Sequence, residues 1–123
     1  MHRIISSIPV ALALAASAHA AAPAADTRES AEAAVLECHA QYAKRYANQV
    51  EAAPSEIAAG AFAACKPQMD AFAALAPELA EDDAQVAIGL GDKRAVGRAI
   101  VEGFRDEVRN ATIDAVIRAR AVP

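Results

Sequence analysis

With 123 residues, the chain is long enough for one small domain. Its net charge of −4 argues against general nucleic-acid binding and against docking on anionic lipid, because both need a basic patch. Apolar residues make up 55% of the chain, a share that alanine inflates, and aromatic residues make up only 4%. Alanine is the best helix former, and residues that favour strands are scarce. The composition therefore predicts an all-helical protein.

The first twenty residues have the pattern of a cleavable export signal. A short basic start precedes an apolar stretch, and Ala18 and Ala20 supply the small residues of the cleavage motif. We expect cleavage after Ala20, which makes Ala21 the first residue of the exported protein. An uncleaved membrane anchor is the alternative, but spanning takes about 20 apolar residues and this run is shorter and interrupted by Pro9. Removing residues 1–20 leaves a net charge of −5.

Residues 21–26 are predicted to form a flexible leader, and residues 27–123 a single helical domain. The first helix is expected to start at a cap formed by Asp26 or Thr27 and to run to about Val50. Residues 51–55 form the turn, in which Pro54 suits the start of a second helix. A second proline, Pro67, predicts a kink or short break near Cys65, because proline removes a backbone donor and clashes one turn back.

Residues 77–91 are expected to hold one short helix between two loops, before Asp92 caps a long final helix to about Arg120. One face of this final helix carries most of its apolar side chains: Val96, Ile100, Phe104, Val108, Ala111 and Ala115. Near its end, three apolar residues leave that register: Ile113, Val116 and Ile117. We interpret these three residues as a candidate surface for self-association or for a partner, and packing against residues 79–90 is the alternative.

Cys38 and Cys65 are the two cysteines of the chain. In an antiparallel hairpin turned at residues 51–54, both lie roughly 16–20 Å from the turn and thus level with each other. Level positions are the condition for a bridge, and exported thiols tend to oxidise. We therefore predict a Cys38–Cys65 disulfide. An intermolecular bridge and a redox-active thiol are the alternatives, although neither cysteine has the Cys-x-x-Cys context of redox enzymes.

The sequence offers little for catalysis or for cofactors. A metal site at His39 would need two further ligands that converge on it, and the sequence does not supply them. We therefore expect His39 to be a partly exposed interface residue rather than a metal ligand. The acidic run at residues 81–83 lacks the alternating oxygen ligands of a calcium loop. Gly89-Leu90-Gly91 lacks the full glycine fingerprint of a phosphate cradle. We predict no catalytic residues, no metal and no cofactor.

The predicted fold class is all-α: a disulfide-stapled antiparallel helical hairpin packed against a long C-terminal helix in a small bundle. The predicted function is binding or protein interaction in the bacterial periplasm or outside the cell. Its partner would be another periplasmic protein or a second copy, without nucleic acid and without stable membrane insertion after cleavage. A periplasmic stress chaperone is the alternative function, and an enzyme is the third.

Overall fold

A computed structural model of the protein describes residues 27–123. The predicted signal, its cleavage residues Ala18, Ala20 and Ala21, and the leader lie outside these described residues. Of the described residues, 79% are helical and none lies in a strand. The helices are α1 (Arg28–Tyr46), α2 (Pro54–Ala64), α3 (Lys66–Ala73), α4 (Ala76–Glu81), α5 (Ala84–Ala87) and α6 (Lys93–Ala121). The predicted fold class is confirmed: α1 and α2 form a stapled hairpin, and α6 packs against both.

Helix α1 begins at the predicted cap and ends about one turn earlier than predicted. The Thr27 hydroxyl accepts a hydrogen bond from the backbone N–H of Ser30 at 3.2 Å, which satisfies one of the free donors of the first turn. At the other end, Arg120 of α6 reaches the exposed carbonyls. Its Nε donates to Ala47 O at 2.7 Å, and its Nη2 donates to Val50 O at 3.0 Å and Ala52 O at 2.6 Å. One guanidinium therefore holds three backbone carbonyls of the segment between α1 and α2.

Replacing Arg120 by alanine is expected to lower the free energy of unfolding by about 1–3 kcal/mol, because three carbonyls lose a charged donor. Arg120→Lys should recover only part of this loss, since an ammonium cannot reproduce the planar fork of donors. Urea unfolding followed by circular dichroism measures both values. The matched control is Arg118→Ala, which removes only a surface ion pair with Asp114. Equal stabilities of the two alanine variants would contradict this role of Arg120.

The break predicted at the second proline is present. Cys65 separates α2 from α3 with φ −99° and ψ 17°, and Pro67 lies in the first turn of α3. Because proline cannot donate a backbone hydrogen bond, the chain restarts as a new helix there. Pro54 likewise opens α2, where Ala53 N–H donates to the Glu56 carboxylate at 2.9 Å. Pro54 thus starts a helix as predicted, and Pro67 follows the break that was predicted near Cys65.

The segment between the hairpin and α6 contains two short helices instead of the predicted one. Pro77 lies in the first turn of α4, and Asp83 caps α5 by accepting from Gln85 N–H at 2.9 Å and Val86 N–H at 3.3 Å. Asp92 caps α6 as predicted. The backbone N–H groups of Ala95 and Arg94 donate to its carboxylate and lower its pKa. Every helix within residues 27–123 therefore starts with a capping threonine or aspartate or with a proline in its first turn.

Two apolar clusters form the core. The larger joins α1, α3, α4 and α6 through Ala31, Val35, Met69, Phe72, Leu79, Val101, Phe104 and Val108. The smaller lies near the hairpin turn and consists of Ala43, Ala47, Ile57 and Val116. The Phe72 and Phe104 rings meet in the larger cluster with centroids 4.3 Å apart. The same face of α1 contributes to both clusters, which places the boundary between them in the middle of that helix.

The buried face of α6 differs in part from the predicted one. Its buried residues are Gly97, Val101, Phe104, Val108, Thr112 and Val116. Gly97 explains the rotation at the start of the helix: a Cβ there would lie 2.9 Å from the Ala76 carbonyl oxygen. Only glycine allows α4 to approach so closely, and the contact is therefore centred on Gly97 rather than on Val96. Ala111, which was predicted to be on the buried face, is exposed.

Candidate functional site

The predicted disulfide is present and joins the two arms of the hairpin. The Cys38 and Cys65 Sγ atoms are 2.07 Å apart and the Cα atoms 5.9 Å apart. The described residues contain no free cysteine. Because both sulfurs are committed to this bond, neither is available as a thiolate for a metal or for nucleophilic attack. The bridge positions the adjacent residue of α1, His39, at the centre of the bundle.

His39 is buried, with only 2% of its surface exposed, so the prediction of a partly exposed interface residue is wrong. Its side chain lies between those of Val35 and Ala43, one turn away on either side of α1. From α6, the Thr112 hydroxyl approaches His39 Nδ1 to 3.1 Å. The Phe62 ring of α2 meets the imidazole edge-on, with centroids 4.6 Å apart. Three helices therefore converge on this one polar side chain.

The hydrogen bonds decide which nitrogen carries the proton. The Thr112 hydroxyl donates its single hydrogen to the Val108 carbonyl at 2.6 Å, so its oxygen can only accept from His39. The proton of the neutral imidazole is therefore on Nδ1, and the lone pair is on Nε2. That Nε2 atom is buried and has no hydrogen-bond partner among the described residues. Burial lowers the pKa of His39, which keeps the ring neutral near pH 7.

The surface predicted at the end of α6 is smaller than expected. Val116 is completely buried in the cluster near the hairpin turn, and it is therefore not available to a partner. The prediction that Val116 belongs to an interaction surface is wrong, because Val116 packs in the core against Ala43 and Ile57. Ile113 is half-buried, and Ile117 remains 53% exposed. Ile117 is thus the one strongly exposed side chain of the three.

A more prominent apolar feature is the segment between α5 and α6, which the sequence predicted only as a loop. Ile88 and Leu90 are 69% and 79% exposed. Gly89, between them, has φ 78°, a conformation that favours glycine. The Gln85 carbonyl accepts from Leu90 N–H at 2.8 Å and from Gly91 N–H at 3.1 Å, so the backbone of the loop is held in place. We name Ile88–Leu90 the apolar loop.

A cleft of about 360 Å³ lies between α4 and the start of α6, the helix that follows the apolar loop in the chain. Its walls combine the apolar surfaces of Ala76, Pro77 and Gly97 with three basic residues: Lys93, Arg94 and Arg98. Lys93 pairs with Glu81, whereas Arg94 and Arg98 form no ion pair within residues 27–123. This end of the molecule thus presents exposed aliphatic side chains beside a small basic cleft.

Comparisons of the chain with protein families, curated proteins and solved structures find no match. Within residues 27–123, no group of three or more His, Cys, Asp or Glu side chains is placed to hold a metal ion. None of the helices in that range is both long and apolar enough to cross a bilayer. The buried His39 and the exposed apolar loop are the two features of the described residues from which a function can be inferred.

Proposed function

We propose that the protein is an exported interaction module that binds another protein through the apolar loop, in the bacterial periplasm or outside the cell. The observation that carries this proposal is the exposure of Ile88 and Leu90 on a hydrogen-bonded turn. Large exposed aliphatic side chains that are close together are typical of sites that bind other proteins. The held backbone also lowers the entropy that the loop would lose on binding.

Two observations support export. Residues 1–20 have the signal pattern, and the Cys38–Cys65 bridge is a bond that persists in oxidising compartments. The signal, its removal after Ala20 and the periplasmic destination belong to the proposal. The partner would present an apolar recess for Ile88 and Leu90, with carboxylates placed opposite Arg94 and Arg98 of the neighbouring cleft.

The proposal is for binding rather than for catalysis. Among the described residues, His39 is the one with a lowered pKa that is also buried, as catalytic groups often are. A general base must, however, reach the proton of a bound substrate. His39 is enclosed by α1, α2 and α6 and faces Thr112 and Phe62. Its surroundings therefore favour a role in the stability of the fold.

Replacing Ile88 and Leu90 together by serine is expected to abolish partner binding and to change the free energy of unfolding by less than about 0.5 kcal/mol, because both side chains are exposed. A photo-cross-linking residue at position 88, used in intact cells, should give an adduct of one defined mass, and Leu90→Ser should remove it.

The matched control is position 117, an exposed isoleucine on α6 that lies about 36 Å from the start of that helix at Lys93. A cross-linker at that position should give no such adduct. The same adduct from both positions, or none from position 88, would contradict the assignment of the apolar loop. An adduct from position 117 alone would instead favour the Ile113 and Ile117 surface.

A periplasmic stress chaperone is the second candidate function, and a specific observation favours it. His39 is neutral and buried, and its charged form would have no partner for Nε2 among the described residues. A fold that disfavours a charged histidine at its centre loses stability in acid. The test is suppression of the aggregation of a denatured enzyme, measured by light scattering at pH 5.5 and at pH 7.5. Protection at pH 5.5 alone is the expected result for this function.

A further inference from the structure

We propose that the buried neutral His39, which packs between α1, α2 and α6 beside Thr112, is an acid-sensitive latch: its protonation releases α6 from the stapled hairpin and uncovers an apolar surface for unfolded protein segments. The inference rests on the second candidate function, the stress chaperone. It adds to that function the residue that senses acid, the helix that moves and the surface that is exposed.

The latch lies at the boundary between the two apolar clusters. On α1, His39 is between Val35 of the larger cluster and Ala43 of the smaller one. On α6, Thr112 is in the same position between Val108 and Val116. These two residues are the buried polar residues of the described core. A change in their interaction therefore acts on both clusters at once.

A second proton on the imidazole has no acceptor. Protonation makes Nε2 a donor and adds a charge, whereas Nε2 has no partner in residues 27–123 and the Thr112 oxygen already accepts from Nδ1. Burying an unpaired charge and an unsatisfied donor is costly. An open state, in which water reaches the ring, removes that cost. Acid thus favours separation of the helices that enclose His39.

Among residues 27–123, no carboxylate pairs with the His39 imidazole, since Nδ1 faces Thr112 and Nε2 has no partner. On α6, the Arg109 guanidinium lies 5.6 Å from the Phe62 ring centroid and pairs with Asp106, and Arg105 is also basic. On α2, the Glu56 carboxylate accepts from Ala53 at the far end of the helix. On α3, Lys66 and Asp70 pair with each other. The charged residues of α1 are at least partly exposed: Arg28, Glu29, Glu32, Glu37, Lys44 and Arg45.

The direction of the pH effect follows from the lowered pKa of His39. In the open state, water reaches His39 and the ring becomes protonated below its ordinary pKa of about 6.5. In the closed state, burial lowers the pKa, so the ring becomes protonated only at lower pH. The contribution of the neutral His39 to the stability of the closed state is therefore complete above about pH 6.5 and is lost as the pH falls below that value. At pH 5.5, one unit below the ordinary pKa, the equilibrium constant for opening should be up to about tenfold larger than at neutral pH.

The disulfide determines which parts separate. Cys38 and Cys65 tie α1 to the end of α2, next to His39, so the two arms of the hairpin cannot part at that level. Helix α6 has no covalent bridge to the hairpin, since the described chain has no other cysteine. Its release would uncover large apolar side chains on both sides of the interface: Val35 and Phe72 on one, Val101, Phe104 and Val108 on the other. Such a surface suits apolar segments of unfolded proteins.

The first test uses the wild-type chain and needs no variant. His39 is the single histidine of residues 21–123, so the imidazole signals of the exported form in an NMR titration belong to it. We expect the folded-state pKa of His39 to lie below its ordinary value of about 6.5, with the neutral ring protonated on Nδ1. A folded-state pKa of 6.5 or above would overturn the latch.

The second test compares variants by hydrogen exchange of α6 amides and by binding of the dye anilinonaphthalene sulfonate. Between pH 7.5 and pH 5.5, opening of the wild type should increase by up to about tenfold, after correction for intrinsic exchange. His39→Gln should remove this increase, because its side chain does not titrate. Thr112→Val, which keeps the histidine, should retain it. An equal response of His39→Gln and wild type would overturn the latch.

Light scattering with a denatured enzyme separates the latch from the chaperone function. Opening at pH 5.5 without protection of the enzyme would overturn the chaperone function while supporting the latch. Protection at pH 5.5 that persists in His39→Gln would overturn the latch while supporting the function. Protection that is lost in His39→Gln together with opening would support both.

Discussion

Replacing Phe72 by alanine is expected to lower the free energy of unfolding by about 3–5 kcal/mol. Phe72 is completely buried, and its ring packs on Phe104 where α3 meets α6. Truncation removes the apolar contact of the largest fully buried side chain and leaves a cavity that close-packed helices cannot fill. A small domain has only about 5–15 kcal/mol in total, so this loss is a large fraction of the free energy of unfolding. Urea unfolding at pH 7.5, followed by circular dichroism, measures the loss.

Leu36→Ala provides a matched control on α1, because Leu36 is also a large apolar residue but is 42% exposed. Its replacement should cost about 1 kcal/mol or less, since much of its surface remains in water. Phe72→Leu, which keeps most of the apolar volume, should fall between the two alanine variants. A loss below about 1 kcal/mol for Phe72→Ala would show that the larger cluster is not packed around this ring.

Removing the disulfide is expected to cost about 3–4 kcal/mol, the second-largest effect. The bridge closes a loop between residues 27 positions apart, and the chain-entropy account gives a cost of this size for such a loop. The double variant Cys38→Ala/Cys65→Ala should therefore unfold at much lower urea concentration at every pH. The expected cause is a less restricted unfolded chain, so the folded secondary structure at neutral pH should change little.

The reducing agent dithiothreitol supplies the control for this second prediction. It should lower the stability of the wild type to nearly that of the double variant and leave the double variant unchanged. Equal stabilities of the oxidised wild type and the double variant would contradict a stabilising role of the bridge. A shift of the wild type that also occurred in the double variant would show that the reagent acts elsewhere.

Much of the fold follows from local sequence signals. Pro54 and Pro67 determine helix starts because proline cannot donate within a helix, and Asp92 and Thr27 cap helices because their side chains accept from free N–H groups. The disulfide could be predicted because the position of Pro54 also determines which residues of the two arms are level. These signals act within one turn or across one hairpin.

The sequence predictions that the structure corrects concern contacts between helices that are distant in the chain. Val116 is buried because α6 packs on the hairpin near its turn, a contact that no local pattern specifies. The buried side of α6 depends on the close approach of Ala76 to Gly97, which again joins distant parts of the chain. Ile88 and Leu90 are exposed because no other element of the described chain packs over them. An isolated sequence does not contain that information.

The burial of His39 is different, because a signal for it was present. Ala31, Val35, Ala43 and Ala47 recur every four residues on α1, and His39 occupies the central position of that series. The sequence-based interpretation weighed His39 only as a metal ligand or as a partly exposed interface residue, and it did not use this periodicity. Thr112, its partner, lies 73 residues away and could not be paired with it from periodicity alone.

Both the apolar loop and the acid latch are proposed to act outside the cytosol, so both depend on export of the protein and on its oxidation to the stapled hairpin. Intact-mass spectrometry of bacterial cell fractions, under non-reducing conditions with free thiols blocked, tests export and oxidation together. We predict a periplasmic chain that begins at Ala21, carries no thiol label and is lighter by two hydrogen atoms than the dithiol form. A full-length chain in the cytosolic fraction, with both cysteines labelled, would contradict it.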